Sequence, residues 1–379
     1  MKKIAGFIAI MILLLLFTCT GCAVLSGSGN GLKTQNSLDA QTSDLLNKEG
    51  EHYQVNADNL VIDVDMVIPD GLSLTKGTAK LCNFSNVAEA IKNQYVTDDW
   101  KEEIEESGID DDGNSAKTYE WVLGEFPDYS KTIYINPCYM DIRLSLDAYR
   151  KKIASLRLVN QDNANEDVYM TGQEFSFMGI RDSLNQVTDE LEKVGIPLGK
   201  IDYFNCYSLD SETMKKQEYM VDSDGNQIET GYNYKETDNY YQFYARQSFQ
   251  KLPVYYTENG WGISLSNSCM PIQILAGENG ICALALDKIF IFKEDNEKIS
   301  LLDTDEVIQK VIERYDDLLT KKEYTIHHAE LMYYAKKINR GIYMLIPAWV
   351  FETVEGKGDD MIYDILIMDA QTGEEVSTE

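Results

Sequence analysis

The chain has 379 residues, with 63 Asp and Glu against 34 Lys and Arg, a formal net charge of −29. That balance excludes a nucleic-acid surface, whose phosphates it would repel, and electrostatic adhesion to anionic lipid. Tyrosines number 24 against 12 phenylalanines, a composition suited to sheets with one wetted face.

The first element is a targeting segment. Lys2 and Lys3 precede an apolar run from Ile4 to Phe17, followed by Thr18-Cys19-Thr20-Gly21-Cys22. This is a basic n-region, an h-region and a small-residue site. The run is too short for a bilayer core, which takes about 20 helical residues. Its parts resemble a bacterial lipoprotein signal peptide, with Cys19 standing where that pattern usually has Leu. The resemblance implies cleavage of residues 1–21, lipidation (palmitate-type acylation) of Cys22, and a place on the extracytoplasmic face of the cell membrane. More than one acyl chain gives stable anchoring. Residues 22–54 are rich in Ser, Gly, Asn, Gln and Thr and read as a flexible polar tether, with His52 at its end.

Residues 55–171 read as an N-terminal α+β region. Ile62, Val64 and Met66 alternate with Asp63 and Asp65, the period of a half-buried strand. Val87, Ala88, Ile91, Tyr95 and Trp100 have mostly helical spacing after Ser85, so a helix is predicted from Ser85 to about Ile104. Residues 105–117 are acidic and read as a loop. Strands are predicted at Lys117–Leu123, Thr132–Ile135 and Tyr139–Leu146.

Residues 172–295 form a second unit. Ile180, Leu184, Val187, Leu191 and Val194 share one helical face, closed by Gly195 and Pro197. Strands follow at Lys200–Ser208, Lys215–Val221, Tyr240–Gln250, Leu252–Tyr256, Met270–Leu275 and Ile281–Phe292. Residues 296–379 repeat the order. Asp303 and Glu306 form a capping box before the apolar positions Val307, Ile308, Val311, Ile312, Tyr315, Leu318 and Leu319. Strands are then predicted at Tyr324–Ala335, Gly341–Thr353 and Met361–Met368, with a turn at Asp369–Gly373 and a short strand at Glu374–Val376. The fold class is therefore α+β, with tandem helix-plus-antiparallel-sheet units at 172–295 and 296–379.

Glu330-Leu331-Met332-Tyr333-Tyr334, then Tyr343-Met344-Leu345-Ile346-Pro347-Ala348-Trp349, then Ile365 through Glu374 resemble a PepSY-type unit. Leu345-x-Pro347-x-Trp349 and Asp369-Ala370-x-x-Gly373 are its most specific parts. Val194-Gly195-Ile196 and Leu252-Pro253-Val254 make the middle unit similar but weaker. Such units also occur in extracytoplasmic regulators of a cell-wall-sensing histidine kinase. The whole is similar to an uncharacterised group of Gram-positive lipoproteins. The resemblance implies regulation or partner binding without catalytic residues.

The remaining chemistry is sparse. His327 and His328 are adjacent on a strand and should point to opposite faces, so no joint metal site is expected. Hydrolase, zincin, dinucleotide and P-loop motifs are absent, and no cofactor is expected. Asp110-Asp111-Asp112-Gly113 and Asp222-Ser223-Asp224-Gly225 lack an EF-hand's first ligand, because Gly108 and Met220 occupy that position. Cys82, Cys138, Cys206, Cys269 and Cys282 lack disulfide or zinc spacing and read as small buried groups, with a Cys269–Cys282 bridge left open. Trp261 and Trp349 are candidates for an aromatic platform or for core.

The expected function is that of a lipid-anchored extracytoplasmic binding or regulatory lipoprotein without catalytic activity. Its partners would be the membrane, through Cys22, and an envelope protein or peptide. The alternative is a carboxylate-based envelope hydrolase acting on glycan, which needs two carboxylates about 5–10 Å apart in a cleft.

Overall fold

Alternating and aromatic-rich segments become strands along most of the chain. The computed structural model describes residues 46–377 apart from positions 50, 58, 110–114, 126–128, 157, 160–161, 164, 222–225, 258–264, 317, 319–321 and 357–360. In chain order the first strands are β1 (Leu46–Glu49), β2 (His52–Asn56), β3 (Leu60–Asp65), β4 (Thr75–Leu81), β5 (Lys101–Ile109), β6 (Ser115–Leu123), β7 (Lys131–Ile135) and β8 (Tyr139–Arg143). Five short ones follow with β12: β9 (Leu158–Val159), β10 (Asp162–Asn163), β11 (Met170–Thr171), β12 (Tyr203–Leu209), β13 (Met220–Val221) and β14 (Gln227–Ile228). The rest are β15 (Tyr240–Arg246), β16 (Ser248–Phe249), β17 (Leu252–Tyr255), β18 (Ile272–Gly277), β19 (Gly280–Asp287), β20 (Phe290–Lys298), β21 (Tyr324–Asn339), β22 (Ile342–Glu355) and β23 (Ile362–Asp369). The α-helices are α1 (Ala88–Tyr95), α2 (Leu146–Leu156), α3 (Ile180–Lys193), α4 (Ser211–Gln217) and α5 (Thr304–Asp316). None of the described helices is long and apolar enough to cross a membrane.

Two large sheets organise these elements. A ten-stranded sheet takes β1–β4, β16, β17 and β20–β23, and a nine-stranded antiparallel sheet takes β5–β8, β11, β12, β15, β18 and β19. The long strands β21 and β22 are the spine of the first. One end of β21 accepts β3 in parallel and a later stretch accepts β17, while β22 pairs β4 near its start and β23 over the rest. The second sheet is nested inside the first: the chain enters it after β4, leaves briefly at β16–β17, and returns to the ten-stranded sheet at β20. The protein is thus a strand-rich mixed α/β fold.

Each sheet buries an amphipathic helix on one face. Val307, Ile308, Val311, Ile312 and Tyr315 of α5 pack with Tyr53, Ile62, Val64, Trp349 and Phe351 of the ten-stranded sheet. Leu184, Val187 and Leu191 of α3 pack with Tyr241, Phe243, Ile274 and Leu284 of the nine-stranded one, joined by Ala88 and Ile91 of α1. Fully burying one such aliphatic side chain contributes about 1.5–3 kcal/mol. Asp303 caps α5 by accepting from the Asp305 N–H at 3.0 Å. The Asp369–Gly373 turn docks on the start of α5, where Leu302 N–H donates to the Ala370 carbonyl at 2.8 Å. Gly373 has φ +65°, and a Cβ there would lie 2.5 Å from Lys310 Cδ, so a larger residue would strain the turn.

The expected unit boundaries do not match this topology. β5–β8 from 55–171 share one sheet with β12, β15, β18 and β19 from 172–295, whereas β1–β4 and β20 pair with strands of the C-terminal unit. The tether reading also stops short. β1 and β2 lie within 22–54 as far as Gln54, and Tyr53 is fully buried, its hydroxyl donating to Asp305 Oδ1. Tyr53 and Val55 alternate with polar neighbours over too short a run to stand out. Residues 1–45, with the expected signal segment and Cys22, lie outside the described residues.

Other elements differ for local reasons. The Ser85–Ile104 helix ends at Tyr95, and the acidic loop 105–117 is in part β5 and β6. The segment read as a strand at Lys215–Val221 begins in the last turn of α4, which Asp210 caps through Thr213 N–H at 2.8 Å, and only its end, β13, is strand. Tyr240–Gln250 and Ile281–Phe292 each break in two because the chain changes sheets there. Lys288 turns with φ 49° at the second break, the first falls at Gln247, and Gln250 and Lys251, with φ 48° and 72°, close the β16–β17 hairpin just beyond it. The Gln247 side chain, 4% exposed, ties both crossovers together: its Oε1 accepts from Phe290 N–H at 2.6 Å, and its Nε2 donates to the carbonyls of Phe290 and Pro197 at 3.0 and 3.2 Å.

Candidate functional site

The face of the nine-stranded sheet turned away from α3 is polar where a core would be apolar. Strand alternation places Tyr203, Asn205 and Tyr207 of β12, Gln242, Tyr244 and Arg246 of β15, Gln273 of β18, Ala285 of β19, and Asp141 and Arg143 of β8 on this face. Register then aligns them in rows. Arg143 lies opposite Ala283, Leu275 opposite Gln242, and Gln242 opposite Tyr207. In the next row Asp141 faces Ala285, Ala285 faces Gln273, Gln273 faces Tyr244, and Tyr244 faces Asn205. Arg246 is opposite Tyr203 at the edge nearest the other sheet.

Helix α2 packs across one end of this face. Ser145 starts it, with its Oγ accepting from Ala148 N–H at 3.3 Å. Its buried positions are Leu146, Ala148, Lys151, Lys152, Ala154, Ser155 and Leu156. Two lysines therefore occupy a buried helical stripe, and their environments differ. Lys151 donates to Asp147 and Asp238 at 2.7 and 2.8 Å. Lys152 is 7% exposed and makes no ion pair or hydrogen bond through its ammonium among the described residues. It lies 5.7 Å from the Tyr149 ring and 5.9 Å from the Tyr244 ring. Burial first, and then the Arg143 charge, push its pKa from 10.5 down to about 8.

The neighbours are ordered. Arg143 Nε and Nη2 reach Asp141 at 2.8 and 3.0 Å, and its guanidinium stacks over Tyr149 at 4.2 Å. Tyr207 hydroxyl and Asn267 Nδ2 donate to Glu166 Oε2 at 3.1 and 2.8 Å, with Tyr207 and Tyr244 edge to face. Arg246 is 2% exposed, 5.2 Å from the Tyr255 ring centroid, and its Nε and Nη2 have no hydrogen-bond partner among the described residues. Gln242 Oε1, on the same strand face, is also buried and unpartnered. In a chain of net charge −29, three basic groups thus gather on one sheet face of tyrosines. Cationic groups in a low-dielectric recess attract an anion far more strongly than the same groups would on the surface.

The residues singled out from sequence lie elsewhere. A bulge between Ile326 and His328 disturbs β21, so strict alternation fails and both histidines are about half exposed. His327 Nε2 lies 3.8 Å from Glu352 and His328 Nε2 3.9 Å from Glu330. Glu330 accepts from the Tyr203 hydroxyl at 2.9 Å, and Glu352 from Leu265 N–H at 2.7 Å. Glu330 raises the His328 pKa, with Glu352 adding to it and burial opposing. Among the described residues no group of three His, Cys, Asp or Glu could hold a metal ion. His52 bridges Asp63 and Asp65 at 3.2 and 2.8 Å on β2 and β3.

No disulfide joins any of Cys82, Cys138, Cys206, Cys269 and Cys282 among the described residues, so Cys269 and Cys282 are not bridged. Burial pushes Cys82 and Cys282 up to about 11 and Cys206 up to about 12, which suppresses thiolate reactivity. Trp349 is core, while Trp261 and both Asp-rich turns (Asp110–Gly113 and Asp222–Gly225) lie outside the described residues. The polar face was missed because its groups are scattered from Asp141 to Gln273. The available signals were the Lys151-Lys152 pair within an otherwise helical run and the odd residues Gln242 and Arg246 within an aromatic strand.

No family model matches the chain, and no curated protein does. Among solved structures, an uncharacterised protein from Eubacterium rectale is similar, at 16% identity, with a TM-score of 0.59 over 87% of this chain and 94% of that one. That likeness is one of fold. The C-terminal domain of Bacillus megaterium YpeB aligns over 78% of this chain and 96% of its own, at 9% identity and a TM-score of 0.24, too low to establish a shared fold.

Proposed function

We propose that this chain is a lipid-anchored, extracytoplasmic binding protein with a regulatory role, and that it holds an anionic group of an envelope protein or peptide on the polar face of its nine-stranded sheet. The observation that carries the reading is Lys152, a lysine only 7% exposed whose ammonium makes no ion pair among the described residues and lies 5.7 and 5.9 Å from the Tyr149 and Tyr244 rings. An unpaired buried charge is expensive to maintain, so its retention points to use. The lipobox-like segment ending at Cys22 supports the location. The PepSY-like reading belongs to the same proposal: α3 on one sheet and α5 on the other repeat a helix packed on a mostly antiparallel sheet.

Binding is preferred over glycan hydrolysis for a specific reason. Glu330 and Glu352, the carboxylates that gather beside the histidines, each accept a hydrogen bond from within the protein and brace the seam between sheets. The test is native mass spectrometry of the chain extracted from its membrane in nonionic detergent. A bound anionic ligand is expected on the wild type and missing from Lys152→Met. Equal ligand occupancy in both would refute the assignment of this face. Fatty-acid labelling that persists in Cys22→Ala would refute the anchor.

A further inference from the structure

We infer that Arg246 seats a carboxylate of the ligand through the Nε–Nη2 edge of its guanidinium. This rests on the anion-binding reading above and specifies which group is bound and where. Nε and Nη2 are the two buried nitrogens of Arg246 without a partner among the described residues. They are neighbours on one edge of the guanidinium plane, where their N–H bonds run parallel and match the two oxygens of a carboxylate. The surroundings keep that edge unclaimed. Tyr255 offers Arg246 a ring face at 5.2 Å, which supports the charge without using an N–H. Glu330, the nearby carboxylate, is engaged by Tyr203 and lies beside His328, and it makes no ion pair with Arg246 among the described residues.

The placement also limits what one small ligand can touch. Tyr244 is two residues from Arg246 on the same strand face, about 7 Å away along the chain. Beyond it the Lys152 ammonium lies 5.9 Å from the Tyr244 ring. Arg246 and Lys152 are thus two separate cationic points flanking the buried Tyr244. Gln242 Oε1, buried and unpartnered farther along the strand, is an acceptor for an amide N–H. Gln242 is four residues from Arg246, about 13 Å along the strand, so it does not contact a small carboxylate seated there, and an acylated amino acid with its uncharged amide as control probes the Arg246 seat by itself.

The test uses the full chain in nonionic detergent, labelled with 15N-arginine. The Arg246 Nε–Hε resonance is identified as the one missing in Arg246→Lys, or through its Overhauser contacts to the Tyr255 ring if that variant folds poorly. Millimolar N-acetylglycine is expected to shift this resonance, and the uncharged N-acetylglycinamide is not. Arg246→Lys is expected to weaken N-acetylglycine binding by about tenfold or more in calorimetry, because a point charge does not reproduce the fork. If N-acetylglycine binds and Lys152→Met abolishes it while the Arg246 resonance never moves, the anion-binding face stands and the Arg246 seat is wrong. If inorganic phosphate shifts the resonance and N-acetylglycine does not, the carboxylate assignment is overturned. If the acid and the amide act alike, or neither probe nor phosphate binds, both readings fail.

Discussion

Replacing Lys152 with Met keeps an unbranched stem of similar size and removes the ammonium. The native amine titrates near pH 8 when folded, against 10.5 in its ordinary state. Below about pH 8 both folded and unfolded chains hold the proton, and folding bears the full cost of burying the charge. Between about 8 and 10.5 the unfolded chain binds more protons than the folded one, so stability rises with pH across that window. A pKa unit is worth about 1.36 kcal/mol, which makes the cost about 3 kcal/mol at neutral pH. Lys152 is 7% exposed, so solvent screening removes little of it. Lys152→Met is therefore expected to be about 3 kcal/mol more stable than wild type near pH 7, with the gap closing by about pH 10. Urea unfolding followed by tryptophan fluorescence measures both chains across that range, and their difference cancels the titration of other groups. A difference that stays constant with pH, or a variant less stable at neutral pH, would refute the reasoning.

Gln247→Leu is expected to lose about 2–4 kcal/mol, because it strips the Phe290 N–H of its side-chain partner at the crossover between sheets; a loss below about 0.5 kcal/mol in chemical unfolding would mean the seam is held elsewhere. His328→Ala should matter most in acid. Glu330 raises the folded pKa of His328, so its contribution is complete below the unfolded value of about 6.5 and disappears as pH rises through the folded value. Since the ring is about half exposed, the gap between wild type and variant should stay under about 1 kcal/mol, and thermal unfolding near pH 5 and pH 8 shows whether it has this sign. Gly77→Ala places a Cβ 2.7 Å from Phe249 Cζ, and a loss of about 1–3 kcal/mol is expected, with partial rescue by Phe249→Leu if the clash is the cause.

Much of the architecture was legible where periodicity was clean. Ile180 through Leu191 and Val307 through Tyr315 gave two amphipathic helices in the right places, because each buries one apolar stripe against a sheet. The C-terminal strands and the Asp369–Gly373 turn were equally plain. What failed was pairing. Nothing local in Lys131–Ile135 or Tyr139–Arg143 says that these strands join β18 and β19 rather than a sheet of their own, since strand order depends on long-range closure. Helix α2 was lost for a more informative reason: Lys151 and Lys152 occupy its buried stripe, so the apolar period on which a helix is read is broken by the groups that give the face its charge. Gln242 and Arg246 break the core pattern of β15 in the same way. Polar residues at buried positions obscured the local structure and marked the site.

The anion-binding face is tested most directly by anomalous diffraction from crystals of the chain soaked in bromide. The account predicts an anomalous peak between the sheet and α2, in contact with Lys152 or with the Nε–Nη2 edge of Arg246, and loss of the Lys152 peak in Lys152→Met. Bromide confined to the outer surface, with none against either residue, would contradict it.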